Sequence, residues 1–246
     1  MELHHKVALI TGSAKRIGRA LALALAGEQC HVIVHYGRSA AEAGETVRQL
    51  KALGVNAWSV AANLTDEAEI HTLVPFALEQ AGRLDILINN AAIFPPEKFL
   101  ETTSASWDDN MLINLKAPFL LSQDFARALP PDRPGKIINL LDTNASRPKN
   151  HHFAYTISKY ALQGLTQATA VALGTRNIQV NGLALGAILP NTADDPHMFA
   201  RIAQKNNVPH RTGTPQDVAQ AMLYLLKAAD FVTGQVIRVD GGKFLI

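Results

Sequence analysis

Val7-Ala-Leu-Ile10-Thr11-Gly12-Ser13-Ala14-Lys15-Arg16-Ile17-Gly18 decides the fold of this 246-residue chain. Val7 to Ile10 is a short, wholly apolar run that reads as a buried strand. The small residues after it let the backbone turn tightly, and a helix is predicted over about Ile17 to Glu28. The start of that helix presents free N–H groups suited to a pyrophosphate. Strand, glycine turn and helix in that order make a βα unit.

The alternation continues outward from there. Strands are predicted at His31–His35, Ala57–Ala61, Ile86–Ile88, Lys136–Leu140, Gln179–Leu183 and Gln235–Val239. Between them run helices over about Ala40 to Leu53, from near Thr65, over Ser104 to Leu129, over Tyr155 to Leu173 and after Thr214-Pro215, with a polar loop from about Ala187 to Pro196. The pattern predicts an α/β fold, a doubly wound parallel sheet of about seven strands. Residues 1–246 form one domain, with a substrate loop near 185–210. Ligands of such sheets bind outside the carboxyl ends of the strands.

A formal charge of +2 without a dense Lys/Arg run argues against nucleic acid as partner. No apolar stretch approaches a membrane span, and Met1-Glu-Leu-His-His-Lys6 leads directly into a strand, so a cytoplasmic protein is expected. The single cysteine, Cys30, excludes an internal disulfide and a cysteine metal cluster, and suits a reducing compartment. His4-His5 and His151-His152 are adjacent pairs without the spacing of a helical zinc site, so no metal is predicted. The second pair lies near Tyr155, at the substrate mouth or on the surface.

The end of the second strand reads His35-Tyr36-Gly37-Arg38-Ser39 and lacks the acidic residue that binds a ribose 2′-hydroxyl. A guanidinium and a hydroxyl suit a 2′-phosphate, and Arg16 adds a second positive charge. NADPH is predicted over NADH. Asn63-Leu64 stands where it could meet adenine or cap a turn, and Asn89-Asn90-Ala91 can hold turns together while shaping the cofactor floor. Tyr155 and Lys159 stand one helical turn apart, so the ammonium is expected to stabilise the phenolate and make Tyr155 a proton donor near neutral pH. Asp142 lies thirteen positions upstream.

In order and spacing, Thr11-Gly12…Gly18, Asn89-Asn90-Ala91, Asn114, Tyr155…Lys159, Asn181-Gly182 and Asp240-Gly241-Gly242 resemble the short-chain dehydrogenase/reductases over almost the whole chain. Arg16 in place of the central turn glycine, the run from His35 to Ala43, and Asp142 where most members have the catalytic serine resemble the pteridine reductases and bacterial dihydromonapterin reductases. Phe94 stands where that subgroup places an aromatic that stacks on the pterin. The resemblance implies a Rossmann fold and an NADPH-dependent reductase of a pterin such as dihydrobiopterin, dihydromonapterin or dihydrofolate.

It also implies roles. Tyr155 would donate the proton with Asp142 as partner, Lys159 would bind the nicotinamide ribose and lower the tyrosine pKa, and Asn114 would fix the active-site helix and a relay water. Cofactor contacts would come from Gly12, Arg16, Ile17, Gly18, His35, Arg38, Ser39, Asn63, Leu64, Asn90, Ala91, Lys159 and Gly186. Phe94, Asp142, Tyr155 and Arg16 would meet the substrate. A homotetramer is implied, with the helices over Ser104–Leu129 and Tyr155–Leu173 at one dimer surface and the C-terminal strand at another.

There are departures: Ala92 where the pteridine reductases often have a serine, Leu185-Gly186 in place of Pro-Gly, and a loop with Asn191, Asp194, Asp195 and His197 closer to the bacterial dihydromonapterin type than to the protozoal one. Asp142 also reads as a turn-capping loop residue, with Thr143 or Ser146 supplying a hydroxyl, and Phe94 as loop packing. A reductase of a small ketone or 3-oxoacyl thioester shares every motif except Asp142 and Phe94. A non-catalytic NADP-binding regulatory module is the alternative from another class, and the intact Asn114, Tyr155 and Lys159 speak against it.

Overall fold

Strand β1 (Val7–Ile10) sends Val7 and Leu9 into one apolar layer and Ala8 and Ile10 into another. Successive strand side chains point to opposite faces, so a strand covered on both sides must be apolar throughout. In this computed structural model, which describes residues 1–146, 150–190 and 195–245, six further strands follow. They are β2 (His31–Tyr36), β3 (Ala57–Ala61), β4 (Ile86–Asn89), β5 (Gly135–Asp142), β6 (Ile178–Leu185) and β7 (Val236–Val239). All pair in parallel in the order β3-β2-β1-β4-β5-β6-β7.

Helices α1 (Arg16–Gly27), α2 (Ala40–Ala52), α3 (Glu67–Ile70), α4 (Leu73–Ala81), α5 (Ser104–Met111), α6 (Ala117–Ala128), α7 (Phe153–Leu173), α8 (Pro196–Asn206) and α9 (Pro215–Lys227) connect them. Leu21, Leu25, Leu50, Met222 and Leu226 bring α1, α2 and α9 onto one face of the sheet. Val74, Leu121, Phe125 and Ala170 bring α4, α6 and α7 onto the other. The chain runs outward through β1, β2 and β3, then returns to place β4 beside β1. That reversal opens a crevice at the carboxyl ends of β1 and β4, the place where doubly wound sheets bind ligands.

Polar side chains close the floor of this crevice. The Thr11 hydroxyl accepts from the amides of Asn90 and Ala91 at 2.9 and 3.0 Å, and Asn90 Nδ2 donates to the carbonyls of Thr11 and Gly12 at 2.8 and 3.0 Å. Asn90 thus holds the turn through its side-chain amide and Ala91 through its backbone N–H.

Three elements differ from the sequence reading. The helix expected over Ser104–Leu129 is divided by a π-helical turn at Leu112–Lys116 between α5 and α6. The polar loop ends in a further helix, α8, where Asp195 accepts from His197 N at 2.9 Å and Pro196 fills the first turn. Proline there starts a helix rather than closing a loop. Strand β5 reaches two residues beyond the expected Leu140, and Asp142 pairs in register with Leu185. Among the described residues no helix is long and apolar enough to cross a membrane.

Gly18 packs the first turn of α1 against this floor. A Cβ on it would lie 2.5 Å from Gly12 O and 2.7 Å from Ser13 Cα, backbone atoms that cannot rotate away. Gly18→Ala is expected to lower unfolding free energy by about 1–3 kcal/mol in urea titration, the usual cost of overpacking. An unchanged midpoint would show that the turn yields.

Candidate active site

Asp142 leaves the sheet at the end of β5, and Tyr155 is presented by the first turn of α7. The start of α7 is held by two bonds to the loop after β4: Phe153 N donates to Glu97 O at 3.0 Å and His152 Nδ1 lies 2.8 Å from Pro95 O. With both elements fixed, Tyr155 Oη donates to Asp142 Oδ2 at 2.9 Å. The other carboxylate oxygen accepts from Asn144 N at 2.7 Å. One carboxylate therefore caps the turn and holds the phenol. The Thr143 hydroxyl is buried and donates to Leu185 O at 3.2 Å, so it is committed away from the phenol. The side chain of Ser146 lies outside the described atoms.

Tyr155 is 7 % exposed. Burial first, then the charge of Asp142 and the hydrogen bond to it, raise its pKa well above the ordinary phenol value. This reverses the lowering expected from Lys159. Lys159 Nζ donates to Leu140 O at 2.7 Å and stands 5.7 Å from the phenol ring centroid. Burial pushes the ammonium down to about 8, opposed by Asp142. At neutral pH the pair holds a protonated phenol, an acid rather than a base.

Asn114 sits fully buried on the π-helical turn. Its Oδ1 accepts from Ile93 N at 3.0 Å, and its Nδ2 lies 3.2, 3.1 and 3.0 Å from Ile93 O, Asn110 Oδ1 and Ser158 Oγ. An amide has only two protons for those three acceptors, so one bond is shared. Ser158 Oγ donates in turn to Tyr155 O at 2.7 Å. Asn114 thereby locks α7 to α5 and the β4 loop. Asn110 and Ser158 went unread in the sequence, although Asn110 stands four before Asn114 and Ser158 three after Tyr155, spacings that share a helix face. A π-bulge re-aims one side chain, as here.

A cavity of about 410 Å³ opens beside the phenol, with Arg16, Phe94, Asp142, Tyr155, Gly186 and Lys243 in its wall. Phe94 meets Tyr155 edge-on at 4.4 Å. Arg16 adopts a left-handed φ of 56° and its guanidinium donates to Pro190 O at 2.6 Å. It thus faces the loop that follows β6. Of the polar loop residues, Asp195 caps α8 and His197 is exposed, whereas Asn191 and Asp194 lie outside the described residues. Ile188, Leu189 and Phe199 also line the cavity, apolar positions that a reading for polar chemistry passed over.

At the other end of the crevice Gly12 has a φ of 63°. His35 is buried behind it: Nδ1 accepts from Gly12 N at 3.0 Å, so the proton sits on Nε2, which donates to Ala62 O at 3.0 Å. Burial lowers its pKa. His35 supports the turn from within and is not placed to touch a cofactor. Leu64 is also buried, packed in the core, and Asn63 Oδ1 accepts from Thr65 N at 3.1 Å in a local turn. Helix α1 begins with Lys15 making no side-chain cap and with no acidic residue in its first turn, so Ile17 and Gly18 lie at an uncapped, electropositive helix end. Arg38 is exposed and Ser39 half-buried at the start of α2. Gly186 packs against Asp240, where an added Cβ would lie 2.7 Å from its Cα.

A doubly wound sheet with this tyrosine, lysine and asparagine defines a class, and comparison with known proteins agrees. A family profile described as enoyl-(acyl carrier protein) reductase matches residues 12–243. The chain belongs to the short-chain dehydrogenase/reductase family, an oxidoreductase family that works with NAD(P). It is similar to the 3-oxoacyl-(acyl-carrier-protein) reductase FabG of Staphylococcus aureus, 33 % identical over 98 % of each chain. Among solved structures it is similar to FolM alternative dihydrofolate reductase 1 of Brucella canis complexed with NADP, with 33 % identity and a TM-score of 0.94 over 100 % of this chain and 96 % of that one. A Burkholderia cenocepacia short-chain dehydrogenase in complex with NADP matches with 32 % identity and a TM-score of 0.91 over 99 % of each chain.

The carboxylate is one cause of the raised phenol pKa, and its removal has a readable sign. Asp142→Asn is expected to move the Tyr155 ionisation to lower pH in an ultraviolet difference titration, leaving it still above that of a free phenol because burial remains. An unmoved or higher ionisation would refute the coupling.

Proposed function

We propose that the chain is an NADPH-dependent reductase of a pterin, such as dihydrobiopterin, dihydromonapterin or dihydrofolate. The observation that carries this reading is the hydrogen bond from Tyr155 to Asp142 in place of a hydroxyl partner. Reduction of the N5=C6 bond of a dihydropterin requires a hydride at C6 and a proton at N5. Tyr155 holds that proton at Oη. Losing it would leave a phenolate beside a carboxylate, so Asp142, half-buried at the cavity wall, is assigned the return of a proton from solvent to the phenolate. Lys159 supplies the positive charge that tolerates this transient anion. Phe94 offers a flat wall for a flat ring, and the likeness to the Brucella FolM enzyme supports the same substrate class.

The residues at the other end of the crevice fit a phosphorylated dinucleotide. Left-handed Gly12 opens the turn, the uncapped start of α1 with Ile17 and Gly18 suits its pyrophosphate, and Arg38 and Ser39 suit a 2′-phosphate. Lys159 and Asn90 would meet its nicotinamide half, with Ala91 and Gly186 allowing close approach. Bound there, reduced NADP supplies the hydride. A homotetramer and a cytoplasmic location belong to the same proposal. The apolar groove between the π-helical turn and α7, lined by Met111, Leu112, Phe119 and Leu165, supports the first, and the buried Cys30 thiol the second.

A reductase of a small ketone or 3-oxoacyl thioester is the second reading, favoured by the likeness to FabG. Oxidation of NADPH and of NADH by the purified protein, with dihydropterins beside ketones and 3-oxoacyl thioesters, separates the two. Pterin-dependent oxidation preferring NADPH is expected; turnover of carbonyls alone would overturn the pterin assignment. The ammonium of Lys159 is present below pH of about 8 and lost as pH rises through it. Reductase kcat/KM should therefore fall on the alkaline side of that value, and a flat profile there would contradict the role given to Lys159.

A further inference from the structure

His152 is the residue just before α7, and its backbone is left-handed with a φ of 58°. A non-glycine residue in that region costs roughly 1–2 kcal/mol, so its surroundings must over-determine it. They do so through the loop that carries Phe94. The imidazole lies face to face with the Phe94 ring, centroids 3.7 Å apart and planes within 9°. Its Nδ1 is 2.8 Å from the carbonyl of Pro95, and its own carbonyl accepts from Thr156 N at 2.9 Å in the first turn of α7. His151 meets it edge-on at 5.1 Å. The plane of Phe94 is consequently fixed by the imidazole stacked on one of its faces and by its T-shaped contact with Tyr155.

We propose that His152 is a positioning residue for substrate selection: it sets the plane of Phe94 and so determines that the cavity selects a flat heterocycle. The inference rests on the pterin reading. A Phe94 ring free to turn about its side-chain bonds would present an edge as often as a face, and a planar ligand would lose part of the stacking contact. The imidazole removes that freedom before the ligand arrives, which lowers the entropy lost on binding. The imidazole also bonds to Pro95, but the backbone bond from Phe153 N to Glu97 O and the Asn114–Ser158 contacts hold α7 without it, so the effect of His152 falls on KM for the pterin and not on proton transfer.

The test uses full-length His152→Gly, which removes the ring while glycine takes the left-handed backbone without strain. His152→Phe restores a stacking face. Phe94→Ala and the double variant His152→Gly/Phe94→Ala complete a cycle. His152→Gly is expected to raise dihydropterin KM about three- to tenfold, the range of one aromatic pair, with kcat and the KM for NADPH near wild type. His152→Phe should recover most of that loss. The double variant should match Phe94→Ala alone, since the histidine has nothing left to position. Unchanged pterin KM in His152→Gly, an effect fully additive with Phe94→Ala, or a fall in kcat without a change in KM would each overturn the inference. If wild type does not reduce dihydropterins, the pterin reading itself fails and takes the inference with it; if it does but Phe94→Ala leaves their KM unmoved, the inference alone fails.

Discussion

The chemistry proposed for this molecule depends on a buried phenol facing a carboxylate. Neither group alone would be unusual, but placing a buried phenol 2.9 Å from a half-buried carboxylate sets what each can do. The carboxylate makes loss of the phenolic proton costly, so the resting site is an acid. The fold provides this pair from two directions. Parallel pairing of β5 with β6 continues to Asp142, which pins the carboxylate to the sheet, while the Asn114 network pins α7. A slip of one residue in either would turn a side chain away from the crevice.

Much of the frame was legible from periodicity. The apolar run Val7–Ile10 and its glycine turn located β1 and α1 because burial on both faces allows no polar residue there. Tyr155 and Lys159 were recognisable by type and spacing, Asn114 and the role of Asp142 only through the family resemblance, and the structure brings Asp142 and Tyr155 into direct contact. Lys159, one helical turn from Tyr155, was expected to lie near the phenol, and its ammonium stands 5.7 Å from the ring centroid. It also bonds to the Leu140 carbonyl, because a buried ammonium takes the nearest strong acceptor.

Other features lay beyond a linear reading for stated reasons. His35 looked like a cofactor ligand because it ends a strand, but its ring is turned inward to satisfy the amide of Gly12, a partner twenty-three residues away. Arg16 carried a charge suited to phosphate, yet its left-handed backbone aims the guanidinium at Pro190 across the cavity. The π-helical turn under Asn114 depends on how α5, α6 and α7 pack, and no residue type announces it. Helix α8 mixes apolar and polar residues, and its start signal, Asp195-Pro196, also reads as the end of a loop.

The proposed pterin chemistry requires Asp142 to serve a ring nitrogen rather than a carbonyl oxygen. The most direct measurement is kcat/KM of Asp142→Ser on a dihydropterin and on a 3-oxoacyl thioester in the same assay. A serine hydroxyl still accepts from Tyr155 but returns no carboxyl proton, so pterin reduction should fall by about a hundredfold or more, the usual worth of general acid catalysis, while the thioester is turned over as well as by wild type or better. Equal losses on both substrates, or pterin reduction that survives the substitution, would contradict it.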